Sequence, residues 1–161
     1  MSDPSPAETW QRLTEGDVTD SPDRSVAEHV HRYLATGGAD GFREGGMPNL
    51  ILTTIGRVTG RLHRTAVFFG TDGDDYVLVA SGSALSERQP NWFRNLREHP
   101  DVLVQVRDRR FLARARTTSG PERDRLWRHM TTQFPAYRTH YEARIRRQIP
   151  VVVLEPRWSP T

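Results

Sequence analysis

Six short β-rich runs, joined mainly by tight turns, constrain the fold of this chain more than any other feature. They cover residues 50–55, 65–69, 76–80, 102–107, 111–116 and 151–154. Asp72-Gly73-Asp74-Asp75 and Asp108-Arg109 are short enough to join neighbouring strands as hairpins. A parallel sheet would need a helical crossover after nearly every strand. The pattern therefore predicts a mainly β, α+β fold, in which an antiparallel sheet curls into a barrel with helices outside it.

Four helices are predicted around these strands. Ser25 is placed to cap the first, which is expected to end at Gly37-Gly38. The second starts near Pro90, the third follows Ser119, and a short fourth follows Phe134-Pro135. Residues at helical spacing give these helices apolar faces: Val26, Val30, Tyr33 and Leu34; Trp92, Phe93 and Leu96; Leu126, Trp127 and Met130; and Tyr137 and Tyr141.

Composition along the chain indicates a simple domain organisation. Residues 1–24 are rich in Pro, Ser, Thr and acidic residues, and we interpret them as a mobile leader with one weak turn around Trp10. Residues 25–156 are expected to form one domain and residues 157–161 a tail. The sequence shows no secretory signal, no apolar run of membrane-spanning length and no cysteine. We therefore expect a cytoplasmic protein, with peripheral membrane contact left open.

Side-chain catalysis and metal binding find little support in the sequence. It contains no GxSxG elbow, P-loop, GxGxxG or HExxH motif. The six histidines show no metal-ligand spacing and are interpreted as structural or surface residues, so no metal is expected. All 23 strong bases are arginines, and the net charge is +3. This charge is too small to demand nucleic acid, but it suits a small anionic ligand, which arginine binds in a two-pronged manner.

The turn from Gly56 to Gly60, with the sequence GRVTG, is the most distinctive local motif. Its two glycines let backbone amides approach a ligand closely, and successive amides in such a turn form a concavity that suits an anion. Thr59 adds a hydroxyl and Arg57 a planar cation. An ordinary turn with a solvated arginine is the alternative, and it is favoured by the turn alone. Three further basic residues follow at once and either join the concavity or face water: Arg61, His63 and Arg64.

Two groups of aromatic residues are candidates for pocket walls. Trp92 follows a polar loop and can form a flat wall on which a tricyclic ring stacks, with Asn95 holding the loop in place. Phe134, Tyr137 and Tyr141 share one helix face beside a proline. For both groups the spacing alone favours an ordinary core.

The run from Leu50 to Gly60 resembles the strand-plus-GRxSG signature of the deazaflavin-dependent nitroreductase family, whose members are also called F420H2-dependent quinone reductases. Four further segments agree with that family in the same order, and the match extends from about Val26 to Pro156. These segments are Arg64-Thr65, Asp72 to Ser81, Pro90 to Leu96, and Ile149 to Pro156.

The resemblance implies a split β-barrel related to the FMN-binding oxidoreductases, with coenzyme F420 as the cofactor and FMN as a less favoured ligand. F420 is a deazaflavin that carries a phosphate and an oligoglutamate tail, and this anionic end suits the arginines. The implied reaction is hydride transfer from reduced F420 to a quinone, a nitroaromatic or an activated enone. Since the cofactor supplies the chemistry, no side-chain nucleophile is needed. The implied partner is a small-molecule acceptor, and the chain would act as a monomer or a homodimer.

The resemblance also assigns roles to residues of this chain. Seven would form the groove for the phosphate and tail: Thr54, Gly56, Arg57, Thr59, Gly60, Arg64 and Thr65. Ala80, Ser81 and Gly82 would edge the deazaflavin ring, with backbone amides near its reacting face. Trp92 and Asn95 would shape the pocket. Tyr137 and Tyr141 would line the acceptor site, where one of them would donate a proton to the reduced product.

Two positions depart from the family pattern. Val58 and Gly82 stand where many members carry lysine. Loss of two cations that face the cofactor would weaken anion binding, and Arg61 or Arg88 is a candidate replacement. These losses suggest an alternative function, a non-catalytic binding protein for F420, a flavin or a lipid-like ligand on the same fold.

Overall fold

The described part of the chain forms nine strands and four helices, and the alternating apolar residues of the sequence lie in the strands. This computed structural model describes residues 2–82, 88–138 and 148–160. The helices are α1 (Pro6–Glu15), α2 (Arg24–Thr36), α3 (Asn91–Glu98) and α4 (Gly120–Gln133). The strands are β1 (Val18–Thr19), β2 (Arg43–Glu44), β3 (Met47–Ile55), β4 (Leu62–Phe68), β5 (Gly70–Asp72), β6 (Asp75–Val79), β7 (Asp101–Val106), β8 (Arg109–Thr117) and β9 (Val151–Trp158).

One bent strand closes the sheet into a barrel. Only Phe69 separates β4 from β5, yet β4 pairs with β3 whereas β5 pairs with β6. The circuit runs from β4 through β3, β7, β8, β9 and β6, and returns to β5. Every pairing in this circuit is antiparallel, as the tight turns in the sequence predict. The predicted antiparallel barrel with flanking helices is confirmed.

The wall of the barrel opens between β4 and the far end of β6. The β5–β6 ladder ends at the pair formed by Gly70 and Val77. Continued in the same register, this ladder would join residues 65–68 to residues 79–82, but β4 turns away to pair with β3. Among the described residues, the other edge of β4 is paired only at its first two residues, by β1. We call this opening, lined by residues 65–68 and 79–82, the split.

Alternate residues of the strands fill the barrel interior, because successive side chains of a strand point to opposite faces. The strand residues of this cluster include Leu50, Leu52, Leu78, Ala80, Val102, Val104, Phe111, Ala113, Ala115, Val152 and Leu154. Phe93 and Leu96 of α3 belong to the same cluster, so α3 covers one end of the barrel. This position brings α3 next to the turn that follows β3.

The other three helices cover three separate outer patches of the barrel. On α2, Val30 and Tyr33 pack against Ile51 of β3. On α4, the predicted face of Leu126, Trp127 and Met130 packs against β6 and β9. On α1, Leu13 packs against three leucines and an isoleucine: Leu62, Leu103, Leu112 and Ile55. The apolar faces predicted for α2 and α4 are therefore the faces that pack.

The N-terminal segment departs most from the expectation. The prediction of one weak turn is wrong, because residues 6–15 form α1 and β1 pairs in parallel with β4. Ser5 caps α1 by accepting a hydrogen bond from the Glu8 amide at 3.2 Å, and Pro6 occupies the first turn, where its missing amide hydrogen costs nothing. Leu13 is fully buried. The segment predicted as a mobile leader thus contains a capped helix with an apolar anchor.

Smaller corrections concern turns and caps. Asp23, rather than Ser25, caps α2, since its carboxylate accepts from the Ser25 amide at 3.0 Å. The β7–β8 turn comprises residues 107–108, one position earlier than predicted, with Arg107 at a φ of 56°. Of the short helix predicted after Pro135, residues 136–138 are helical, and Tyr141 lies outside the described residues.

No helix in the described ranges is long and apolar enough to cross a membrane. The cytoplasmic location expected from the sequence stays a prediction.

Replacing Leu13 by alanine is expected to lower the free energy of unfolding by about 2–5 kcal/mol, since it removes a fully buried side chain from the α1 patch. Urea denaturation measures this loss. The exposed neighbour Arg12 provides a control, and Arg12→Ala is expected to change stability by less than about 0.5 kcal/mol. Equal stability of the two variants would show that α1 does not dock on the barrel.

Candidate functional site

The GRVTG turn connects β3 to β4 at the end of the barrel that α3 covers. The Gly56 amide donates to the Arg61 carbonyl at 2.7 Å, and the Gly60 amide donates to the Gly56 carbonyl at 2.9 Å. Gly60 has a φ of 76°, which side chains disfavour. At Gly56 the reason for glycine is space, because an added Cβ would lie 2.7 Å from His63 Nε2 and 2.9 Å from the Arg61 carbonyl oxygen.

The tip of this turn presents two backbone amides that no other described residue satisfies. The amides of Val58 and Thr59 donate to no acceptor in the described part of the chain, and Val58 is 86% exposed. The Thr59 hydroxyl accepts from the Arg61 amide at 3.2 Å, which holds the turn in shape. Successive unpaired amides form the kind of concavity in which anions bind.

Two asparagines of α3 hold the Arg57 side chain. Arg57 Nη1 donates to Asn95 Oδ1 at 2.8 Å, and Arg57 Nη2 donates to Asn91 Oδ1 at 3.3 Å. The Arg57 backbone amide also donates to Asn95 Oδ1, at 3.2 Å. These bonds use two of the five guanidinium hydrogens, so three remain for a ligand.

Asn95 links three parts of the site from a buried position. Its side chain is only 2% exposed, and its Nδ2 donates to the Thr54 hydroxyl at 3.2 Å. Thr54 is itself fully buried on β3. The Asn95 side chain thus bonds to both Thr54 and Arg57, and it fixes the position of the Arg57 guanidinium.

The charge of Arg57 is not neutralised by an acid. Both of its side-chain partners are neutral amides, and no carboxylate of the described residues lies within 4.0 Å of it. Arg61, by contrast, donates to the Thr19 hydroxyl at 2.8 Å and lies 4.0 Å from Asp17. The side chain proposed to replace a missing lysine is therefore already engaged by residues in and next to β1. Arg57 is thus the cation that the fold fixes in place while leaving its charge available.

Cross-strand register decides which residues share a face with the turn. Thr54 pairs with His63, and Leu52 pairs with Thr65, so these residues lie on the inner face of β3 and β4. Arg64 pairs with Thr53 and lies on the outer face. The structure therefore brings Thr54 and Thr65 together with the turn, but it places Arg64 on the opposite side of the sheet.

His63 takes the place on the inner face that the sequence analysis expected Arg64 to fill. Its ring edge lies against Gly56. Burial, together with the charges of Arg57 and Arg61, lowers the pKa of His63 below its usual value. The unfolded chain therefore takes up this proton more readily, and the free protein loses stability as the pH falls through the ordinary range of histidine. The sequence offered His63 only as one of three basic residues after the turn. A strand that begins at Leu62 instead of Thr65 would have placed it on the same face as Thr65 and Val67.

Three of the residues expected beside the deazaflavin ring, Ala80, Ser81 and Gly82, line the split. Ala80 is fully buried, Ser81 is 6% exposed, and Gly82 has a φ of 82°. The Ala80 amide donates to the Pro150 carbonyl at 2.9 Å, so it is not available to a ring. Trp92 is half-buried against the barrel core, with its ring 6.3 Å from that of Phe93.

Of the two candidate proton donors, Tyr137 and Tyr141, the structure describes only Tyr137. Tyr137 is 3% exposed and packs in the cluster between α4 and the barrel, with its ring 6.2 Å from that of Phe134. Tyr141 lies outside the described residues. Within the described ranges, no group of three or more His, Cys, Asp or Glu side chains is placed to hold a metal ion.

This architecture is that of the FMN-binding split barrels found among F420 reductases. A solved F420-H2-dependent reductase superposes with a TM-score of 0.60 at 28% identity, over 67% of this chain and 94% of its own. A second structure, described as a domain-swapped dimer, gives a TM-score of 0.63 at 29% identity, over 84% of this chain and all of its own.

Sequence comparison defines the family. The family model of the F420H(2)-dependent quinone reductases matches residues 25–156. An F420H(2)-dependent quinone reductase of Mycobacterium tuberculosis is 37% identical over 132 residues, which are 80% of this chain and 88% of the relative. The chain belongs to the F420H(2)-dependent quinone reductase family, and it is an oxidoreductase with coenzyme F420 as its cofactor.

The residues around the GRVTG turn fit an anionic cofactor. Hydrogen-bond donors for phosphate and carboxylate groups are available from Arg57, which has no acidic partner, and from the two unpaired turn amides. Gly56 keeps the turn close to the neighbouring wall. No acid of the described residues pairs with Arg57 to oppose such binding.

Replacing Gly56 by alanine is expected to lower the free energy of unfolding by about 1–3 kcal/mol, because the added Cβ meets both His63 and the backbone of Arg61. The displaced turn is also expected to bind F420 about tenfold more weakly. Gly73→Ala is the matched control. Gly73 has a φ of 62° and open space around its Cα, so its substitution strains a distant hairpin without changing F420 affinity. Unchanged F420 affinity in Gly56→Ala would contradict this role of the turn.

Proposed function

We propose that this protein transfers a hydride from reduced F420 to a small electrophilic acceptor, namely a quinone, a nitroaromatic or an activated enone. The observation that carries the proposal is Arg57, a cation in the turn before β4 that is fixed by two neutral amide oxygens. When bound, reduced F420 supplies the hydride. The protein's residues supply binding, orientation and exclusion of water.

The anionic end of the cofactor is assigned to the turn. The three unused hydrogens of Arg57 and the amides of Val58 and Thr59 would donate to its phosphate and carboxylates. Thr54 and Thr65 continue the same inner face toward the split. A tail held at the turn would keep the ring in one orientation. Such positioning lowers the entropic cost of the hydride transfer.

The ring is assigned to the split, between β4 and residues 80–82, with Trp92 as the half-buried wall. The acceptor would then approach from the open side of the ring. Tyr137 and Tyr141 are retained as the proposed acceptor-site residues and proton donors. For Tyr137 this role requires its ring to leave a buried position, since only 3% of the residue is exposed.

The test measures oxidation of reduced F420 by menadione and by a nitroaromatic compound, with FMN binding measured on the same sample. We expect F420 binding with turnover of at least one acceptor, and weaker binding of FMN. Absence of F420 binding, or a preference for FMN, would contradict the proposal.

The competing candidate is a binding protein that holds F420, a flavin or a lipid-like ligand without turnover. Val58 supports it, because the exposed tip of the turn carries an apolar residue at a position where the family resemblance implies a lysine. Tight F420 binding with no activity on a panel of quinones, nitroaromatics and enones would establish this alternative. Fast turnover of any of them would eliminate it.

We also propose that the protein assembles as a homodimer. The structural neighbour described as a domain-swapped dimer supports this assembly. Light scattering would give twice the chain mass of 18.5 kDa for the dimer, and a single chain mass would overturn the proposal.

A further inference from the structure

The strongest unassigned group in the molecule is His63. It lies on the inner face of β4, paired across the strands with Thr54, and its Nε2 edge is the nearest neighbour of a Cβ built on Gly56. It is therefore part of the wall of the turn to which the anionic end of the cofactor is assigned. None of the described residues forms a hydrogen bond with its ring.

We propose that His63 makes F420 binding proton-linked, taking up one proton when the anionic end of the cofactor binds at the GRVTG turn. The inference rests on the proposed site, because it requires that the phosphate and tail lie beside Arg57. It goes beyond that site by naming a residue that changes charge on binding and by predicting the direction of the pH dependence.

The charges around His63 come from three elements. Arg57 on the turn and Arg61 at the start of β4 both oppose its protonation. On β1, Thr19 is its cross-strand partner, and the nearby Asp17 has an 86% exposed side chain and lies 4.0 Å from Arg61. Asp20, which follows β1, bonds instead to His31 of α2 at 3.3 Å. Neither Asp17 nor Asp20 offsets the lowering of the His63 pKa by the two arginines.

An arriving anion reverses this balance. The free protein disfavours the protonated form of His63, since burial and two guanidinium groups lower its pKa. A phosphate or carboxylate bound beside Arg57 would offset the repulsion from both arginines and offer an acceptor to the ring N–H. Protonated His63 would then add a third positive charge to the site. Because the bound state holds one more proton than the free state, binding tightens as the pH falls.

The test is calorimetric titration of the protein with oxidised F420 between about pH 8 and about pH 6, in buffers of different ionisation enthalpy. We expect proton uptake and a rise in affinity approaching tenfold per pH unit, the limit for one linked proton. F420 carries titratable groups of its own, so the decisive quantity is the difference in slope between the native protein and its variants.

Three variants complete the experiment. His63→Gln is expected to bind F420 more weakly at low pH and to lose the protein-dependent part of the slope. His63→Arg carries a permanent charge and is expected to bind tightly with the same loss of slope. His31→Gln, on the exposed surface of α2, is the matched control and is expected to keep the native slope.

The outcomes separate this inference from the function beneath it. F420 binding with the same slope in the native protein and in His63→Gln would overturn the inference and leave the proposed function standing. Absence of F420 binding at every pH would overturn both. If His63→Gln fails to fold, the ring of His63 can be followed by NMR in the native protein. The inference then requires its titration to move to higher pH when F420 is added, and an unmoved titration would overturn it.

Discussion

Replacing Arg57 by alanine is expected to weaken F420 binding by about 10- to 100-fold, which is the range for losing charge-assisted hydrogen bonds to an anion. The expected loss is large because Arg57 already has its geometry fixed by Asn91 and Asn95, so little side-chain entropy is lost when the ligand arrives. Fluorescence or calorimetric titration with F420 measures the change. Arg57→Lys is expected to recover only part of the affinity, because an ammonium group cannot reproduce the planar fork.

The matched control for Arg57 is Arg94, on the same helix as the two asparagines. Arg94 is exposed, and in the described part of the chain its side chain has no hydrogen-bond or ion-pair partner. Arg94→Ala removes the same charge from the same end of the barrel and is expected to leave F420 affinity within about twofold, since exposed charges are screened by salt. Equal losses in Arg57→Ala and Arg94→Ala would mean that net charge, and not the fixed guanidinium, attracts the cofactor.

The second large effect is expected for Asn95→Leu, which keeps the side-chain volume and removes the hydrogen bonds. The buried Thr54 hydroxyl and the Arg57 amide would lose their partner, which costs about 1–3 kcal/mol of unfolding free energy. F420 affinity is expected to fall about tenfold as well, because the guanidinium loses its 2.8 Å bond. Denaturation and F420 titration measure the two effects separately. Asn91→Leu removes only the 3.3 Å bond of an exposed residue, so both of its effects are expected to be smaller.

A double variant separates positioning from a general structural role. If Asn95 acts on the cofactor through Arg57, then adding Asn95→Leu to Arg57→Ala changes F420 affinity little further, although stability still falls. Fully additive losses in affinity would instead show that Asn95 acts on F420 independently of Arg57. The cycle thus tests a contact between residues 38 positions apart in the chain.

The sequence was sufficient for the parts of the fold that depend on near neighbours. Alternation in residues 102–106 and 111–116 predicts β7 and β8, and the Asp72–Asp75 turn predicts the β5–β6 hairpin. The apolar spacing on α4 predicts the face that packs. Each of these patterns lies within one segment, where the spacing of apolar residues indicates which face is buried.

Features that depend on distant contacts could not be predicted in the same way. Nothing local marks the residues after Gly56–Gly60 as one strand that pairs with two different neighbours on either side of Phe69. The role of Asn95 needs α3 and the turn to be brought together by the barrel core. For α1, a polar composition concealed the single buried Leu13. Composition averages over a segment, whereas docking can depend on one residue.

The position of β9 between β6 and β8 has a consequence for the order in which the molecule forms. Hairpins such as β3–β4 and β7–β8 join segments that are close in the chain, and their loop-closure cost is small. The β6–β9 pairing spans most of the second half of the chain, so we expect it to form late and to limit the folding rate. Until β9 arrives, β6 is held only by its short hairpin with β5. The barrel wall beside the split is therefore expected to be completed last, when residues 151–158 pair with β6.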